Sequence, residues 1–186
     1  MNPLKVNFPE LYDRHLCRHS QFGINVIHIL AVLGIYFCLY AIVYRLTGLT
    51  WPLLAAAGVH LAILALNLPL RVLGGTLAFL AVVVALVVLL PTLPAWAYAL
   101  AIYPFYKIQA WSHKVYNVER DMTEFNKKYQ KGFALFLLLS IYEVPILLNY
   151  LVFDKNNWPV WSSPASRESE SVQPGSTASG QAPQCP

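Results

Sequence analysis

The sequence predicts an all-α fold: a polytopic integral membrane protein of about five transmembrane helices. Three observations lead there. Hydrophobic residues fill 57% of the 186 positions, above the roughly 45–50% of soluble domains. Charged residues fall to 12%, about half the soluble norm. The apolar residues also cluster in long uncharged runs, and lipid can cover such helices on every face. Length suggests one domain: a helical membrane domain over 1–153, then a tail over 154–186.

Residues 1–23 are polar and carry Pro9, Glu10, Asp13, Arg14 and Arg18. A short helix is expected from about Glu10. No apolar signal segment precedes the first span, which should therefore serve as both address and anchor. The first apolar run, 24–44, is long enough for the roughly 30 Å hydrocarbon core. A turn over 45–51 leads to a second run, 52–70, closed by Asn67, Pro69 and Arg71. The third run, 73–90, is nearly pure Val, Leu and Ala, and Pro91 and Pro94 turn the chain. The short fourth run, 95–106, carries Trp96, Tyr98, Tyr103 and Tyr106, residues suited to the membrane interface. Residues 107–131 are polar, and the fifth run, 132–153, contains Glu143 and Pro145. From Asp154 onward Ser, Pro, Gly and Gln dominate, which predicts a disordered tail.

Sidedness follows from Lys and Arg. Segment 107–131 carries Lys107, Lys114, Arg120, Lys127, Lys128 and Lys131. Lys5, Arg14, Arg18 and Arg71 fall on the same side if five spans alternate, and the positive-inside rule makes that side cytoplasmic. The tail is then expected on the opposite side. No basic stripe interleaved with aromatics points to nucleic acid. Cys17, Cys38 and Cys185 are far apart and odd in number, which implies no disulfide framework.

All five histidines are His15, His19, His28, His60 and His113. His15 and His19 share one helix face at i,i+4. His28 lies about 6 Å into the first span by helix rise, and His113 follows the fourth. The topology thus gathers four histidines at one membrane face, where neutral imidazoles suit iron, zinc or copper. Isolated HxxxH spacing is more often interfacial than ligating, so the convergence carries the weight. His60 lies mid-span with Asn67 on its face. Its bland reading is an interhelical hydrogen bond, and its sharper one a meeting with Glu143 near the bilayer centre. Glu119, Asp121 and Glu124 read as a solvated charged face. Two other functions compete. A b-type haem on His28 and His60 would need equal depth, yet His60 is about 15 Å from the cytoplasmic end. A metal-free scaffold or transporter would make Glu143 its key residue.

The pattern Tyr12…His15…His19…Asn25…His28 before a span resembles the opening of the yeast 2-hydroxy fatty acid dioxygenase family, which has two histidines nine residues apart, as His19 and His28 are. Gln109, four residues before His113, and Glu143, about thirty residues later, match further family elements. Asn25 stands three rather than four residues before His28, and Ser112-His113 with Asn117 replaces the family's Gly-His-x-x-x-Glu. The resemblance implies Fe(II) bound by His19, His28 and His113, with His15 as a fourth ligand and Asn25, Gln109, Glu143 and His60 in support. It further implies dioxygen and an amphiphilic 2-hydroxy acid drawn from the lipid bilayer. The site would face the cytoplasm, in the endoplasmic reticulum of a eukaryote or the inner membrane of a bacterium.

Overall fold

A computed structural model describes residues 5–90, 93–116, 127 and 132–155. Every element in them is helical: α1 (Phe8–Arg18), α2 (Phe22–Thr47), α3 (Trp51–Ala65), α4 (Leu70–Leu89), α5 (Ala95–Val115) and α6 (Phe133–Leu148), which continues as a π-helical turn over Asn149–Phe153. The predicted tail beyond 155, Pro91, and the carboxylates Glu119, Asp121 and Glu124 lie outside the described residues.

Among the described residues, three stretches are long and apolar enough to cross a membrane: Phe22–Thr47, Leu70–Leu89 and Leu135–Phe153. The second expected span, α3, has 15 residues, about 22 Å at 1.5 Å per residue. The fourth is longer than its apolar run suggested, because helix continues through Lys107 and Lys114 to Val115. Lys107, Ile108, Ala110, Trp111 and Lys114 are exposed, while Ser112 is fully buried. A one-sided helix of this kind looks like a polar segment in a running hydropathy average.

Asn7 caps α1, its side chain accepting from the Glu10 N–H, and Pro9 enters the first turn, where its missing donor costs nothing. Phe8, Leu11 and Tyr12 bury one face of α1 beside Leu64, Leu68 and Val72 of the α3–α4 corner and Tyr142, Ile146 and Tyr150 of α6. Asn67 ties this corner together: its Oδ1 accepts from the Val6 N–H at 3.1 Å, and its Nδ2 donates to the Tyr142 hydroxyl at 2.8 Å. Helices α2 and α5 pack closely. A Cβ on Gly34 would collide with the Phe105 ring, and one on Gly23 with the Tyr116 ring and hydroxyl. Glycine at these two positions lets the end of α5 reach the start of α2.

The direction of α6 departs from the sequence expectation. Tyr36 bonds Ser140, His28 faces Glu143, Tyr150 bonds Ser20 and Tyr12 bonds Asp154. Ascending positions on α6 thus meet descending ones on α1 and α2, so α6 ends at the face where α1 lies. The Arg71 guanidinium over the Phe153 ring, 5.9 Å from its centroid, marks the same end. The end of α6 was expected across the membrane, because alternation assumed that residues 107–131 stay on one side. Cys38 is a free buried thiol.

Candidate metal centre

Three elements each deliver one imidazole. His19 is the C-cap of α1, its backbone N–H bonded to the His15 carbonyl. His28 sits in the second turn of α2 and is 4% exposed. His113 lies in the last turn of α5. Their ring centroids form a nearly equilateral triangle with sides of 4.8, 4.8 and 4.9 Å and interplanar angles of 68°, 68° and 84°. One nitrogen from each ring lies within 4.8 Å of the others. A metal–nitrogen bond of about 2.1 Å sets ligand nitrogens about 3.0–3.4 Å apart in octahedral or tetrahedral geometry. Closing this cage therefore takes an inward shift of about an ångström at each nitrogen.

The hydrogen bonds around the triangle fix which nitrogens are committed. Asn25, fully buried, donates through Nδ2 to the carbonyls of His19 and Gln21 at 2.6 and 2.8 Å. Its Oδ1 is left as the acceptor, so His15 Nε2, 2.8 Å away, carries a proton. His15 therefore stands behind His19, stacked at 4.1 Å and 6°, and is outside the group of three whose nitrogens converge. The expected i,i+4 pairing is present, but His15 sits as the outer neighbour of His19 rather than among the converging ligands. His19 Nδ1 lies 3.3 Å from the His15 carbonyl. Its Nε2 is buried with no hydrogen-bond partner. A buried polar atom without a partner is costly, and a bare imidazole lone pair aimed among two other imidazoles is what a metal ion would satisfy.

His28 is held from both sides. Its Nε2 is 3.0 Å from the Ser112 hydroxyl, which itself donates to the Gln109 carbonyl at 2.7 Å. Its Nδ1 faces Glu143 Oε1 at 3.5 Å, and that oxygen also accepts from Gln109 Nε2 at 2.7 Å. A carboxylate behind a histidine is the usual outer arrangement of a metal site, because it fixes ring orientation and tautomer. Asn25, Gln109 and Glu143 thus all touch the site. His60 does not: its Nε2 is 3.0 Å from the Ile141 carbonyl. His60 thus makes the interhelical hydrogen bond of its blander reading, to a backbone carbonyl two residues before Glu143, and not the sharper meeting with Glu143 itself. Ser112 went unanticipated, since a serine beside a histidine carries no signal until α2 packs on it.

Burial, above all, holds the histidines outside the spans in their neutral form. His15 is lowered to about 4 despite its bond to Asn25. His19 is lowered well below the ordinary imidazole value by burial and then by neighbouring His15. His113 is lowered to about 4 by burial, then by the charges of His28 and Arg18. Neutral imidazole is the form that binds metal. No protein-family model, curated protein or solved structure matches this chain.

Proposed function

We propose that the chain is a membrane-embedded non-haem Fe(II) dioxygenase that shortens 2-hydroxy fatty acids by one carbon. The observation that carries the metal centre is the convergence of His19, His28 and His113 with a buried, unpartnered Nε2 on His19. The resemblance of Tyr12, His15, His19, Asn25, His28, Gln109, His113 and Glu143 to the dioxygenase family motifs carries the choice of iron and substrate.

A ferrous ion held by His19, His28 and His113 would supply Lewis acidity toward the acid substrate and the activation of dioxygen. The protein's own groups do the rest. Ser112 spends its proton on the Gln109 carbonyl, so His28 Nε2 donates to Ser112 in the unloaded site; to serve as the ligand atom Nε2 would release that bond and the ring proton would move to Nδ1, facing Glu143. Gln109 neutralises part of the Glu143 charge by donating to the same oxygen. Asn25 locks the α1–α2 corner, so His19 holds its position without an entropic cost on binding. The overall change balances as 2-hydroxy acid plus dioxygen giving the acid one carbon shorter, carbon dioxide and water. The C1–C2 bond breaks, and dioxygen accepts the four electrons released.

In this reading α3 and residues 95–106 of α5 serve as the second and fourth crossings, and the site, with His113 beyond the fourth, lies near the cytoplasmic face. Arg14, Arg18, Arg71 and Lys114 gather at that end. The test is aerobic turnover of an anaerobically iron-loaded sample with a long-chain 2-hydroxy acid. The expected product is the odd-numbered acid from an even-numbered substrate, with carbon dioxide in equal amount. Iron-loaded protein that consumes no dioxygen and leaves the substrate intact would reject the dioxygenase, and protein that purifies without metal would favour a scaffold.

A further inference from the structure

Pro145 lies inside α6 and is buried. Proline has no N–H, so the carbonyl four residues earlier, that of Ile141, loses its helical partner. Water cannot replace that partner at membrane depth, and such a carbonyl must find another donor. His60 of α3 supplies it from across the helix interface, its Nε2 3.0 Å from the Ile141 oxygen. The carbonyl can only accept, so this nitrogen carries the ring's proton. One residue earlier, the Ser140 carbonyl accepts from the Tyr36 hydroxyl of α2 at 3.0 Å. The Tyr36 and His60 rings stack at 5.8 Å and 28°, so each restricts the other. Two neighbouring helices thus grip successive carbonyls, and the second of them, that of Ile141, is the one Pro145 leaves without a helical partner.

Glu143 lies between those carbonyls and Pro145. Its oxygen receives the Gln109 amide and faces His28. We propose that Tyr36 and His60 are positioning residues: they clamp α6 beside Pro145 and thereby set Glu143 against His28. Without the clamp, the Ile141 carbonyl must recruit another donor, and α6 turns about Pro145. Glu143, half a turn further on, then swings away from His28. The consequence for metal binding rests on the metal centre proposed above, whereas the clamp itself does not.

A double-mutant cycle on the full-length protein in detergent separates the two. The variants are His60→Leu, His60→Gln, Pro145→Ala and the Pro145→Ala/His60→Leu pair. The readouts are Co(II) affinity, followed by its visible absorption, and the thermal midpoint. His60→Leu is expected to weaken Co(II) binding about tenfold, the lower end of the effect of removing an outer-shell support. Gln can still donate to the carbonyl and should restore most of that loss. Alanine at 145 restores the helical N–H to the Ile141 carbonyl, so in that background His60→Leu should lower the thermal midpoint by far less than in the parent. Equal thermal cost in both backgrounds would overturn the clamp, whatever the metal result. Full Co(II) affinity in a folded His60→Leu protein would overturn the positioning of Glu143. Should His60→Leu fail to fold, the Gln variant and the Pro145→Ala pair decide both points. A wild-type protein that binds no Co(II) would instead remove the metal centre and leave the thermal cycle to judge the clamp.

Discussion

Replacing Glu143 by Gln isolates the contribution of one charge. The carboxamide keeps an oxygen that can accept from Gln109 and keeps the side-chain volume, so packing is preserved. What disappears is the anion 3.5 Å from His28 Nδ1. With that anion gone, nothing favours a proton on Nδ1, and His28 Nε2 stays committed to Ser112 at 3.0 Å. Loss of such an outer-shell partner costs about 10–100-fold in metal affinity, or about 1.4–2.8 kcal/mol at 1.4 kcal/mol per tenfold. Glu143→Ala removes the acceptor as well and leaves the Gln109 amide without its partner, adding about 1–3 kcal/mol of lost stability. The assay is anaerobic Fe(II) or Co(II) titration of purified protein, with the thermal midpoint measured in parallel. A Glu143→Gln protein that binds metal as tightly as the parent would refute the carboxylate–histidine arrangement.

Three further outcomes follow from the same geometry. His15, His19 and His113 have lowered values in the fold but titrate near 6.5 when unfolded. The unfolded chain therefore binds more protons between about 6.5 and about 4, so apo-protein stability should be intact above 6.5 and decline as pH falls through that window. A denaturation midpoint that holds steady from pH 7 to pH 4.5 would contradict the burial of these rings. Gly34→Ala drives a methyl into the Phe105 ring and should cost about 1–3 kcal/mol by overpacking, read as a lowered thermal midpoint; an unchanged midpoint would mean α2 and α5 are further apart than described. Cysteines introduced at Asp13 and Lys155 should react with an impermeant thiol reagent from one side of the membrane, and a cysteine at Leu49 from the other. Labelling of 13 and 155 from opposite sides would restore the simple alternation of spans.

Much of the site could be read in the chain, and what could not be read has physical causes. The i,i+4 spacing of His15 and His19 predicts their stacking, and counting spans returns His113 to the same end. Spacing cannot show which of two stacked rings points inward; that depends on Asn25, whose amide must spend its two donors on backbone carbonyls before its oxygen can select a proton on His15. The extent of α5 was hidden because Lys107 and Lys114 face outward while Gln109, Ser112 and His113 face α2 and α6, so an average over the window sees only polarity. The direction of α6 was hidden because the connection through 117–131 has no apolar run to count. Pro145 removes a helical donor, but the residue that answers it, His60, sits 81 positions away and could be paired with it only by packing.

The central claim is that His19, His28 and His113 form one metal site. The direct measurement is metal content by elemental analysis of anaerobically purified protein, comparing the parent with His113→Ala and His60→Gln. The expected result is close to one ion per chain in the parent and in His60→Gln, and a fall to near zero in a His113→Ala protein that remains folded. Full metal content in folded His113→Ala would show that the three imidazoles do not share an ion.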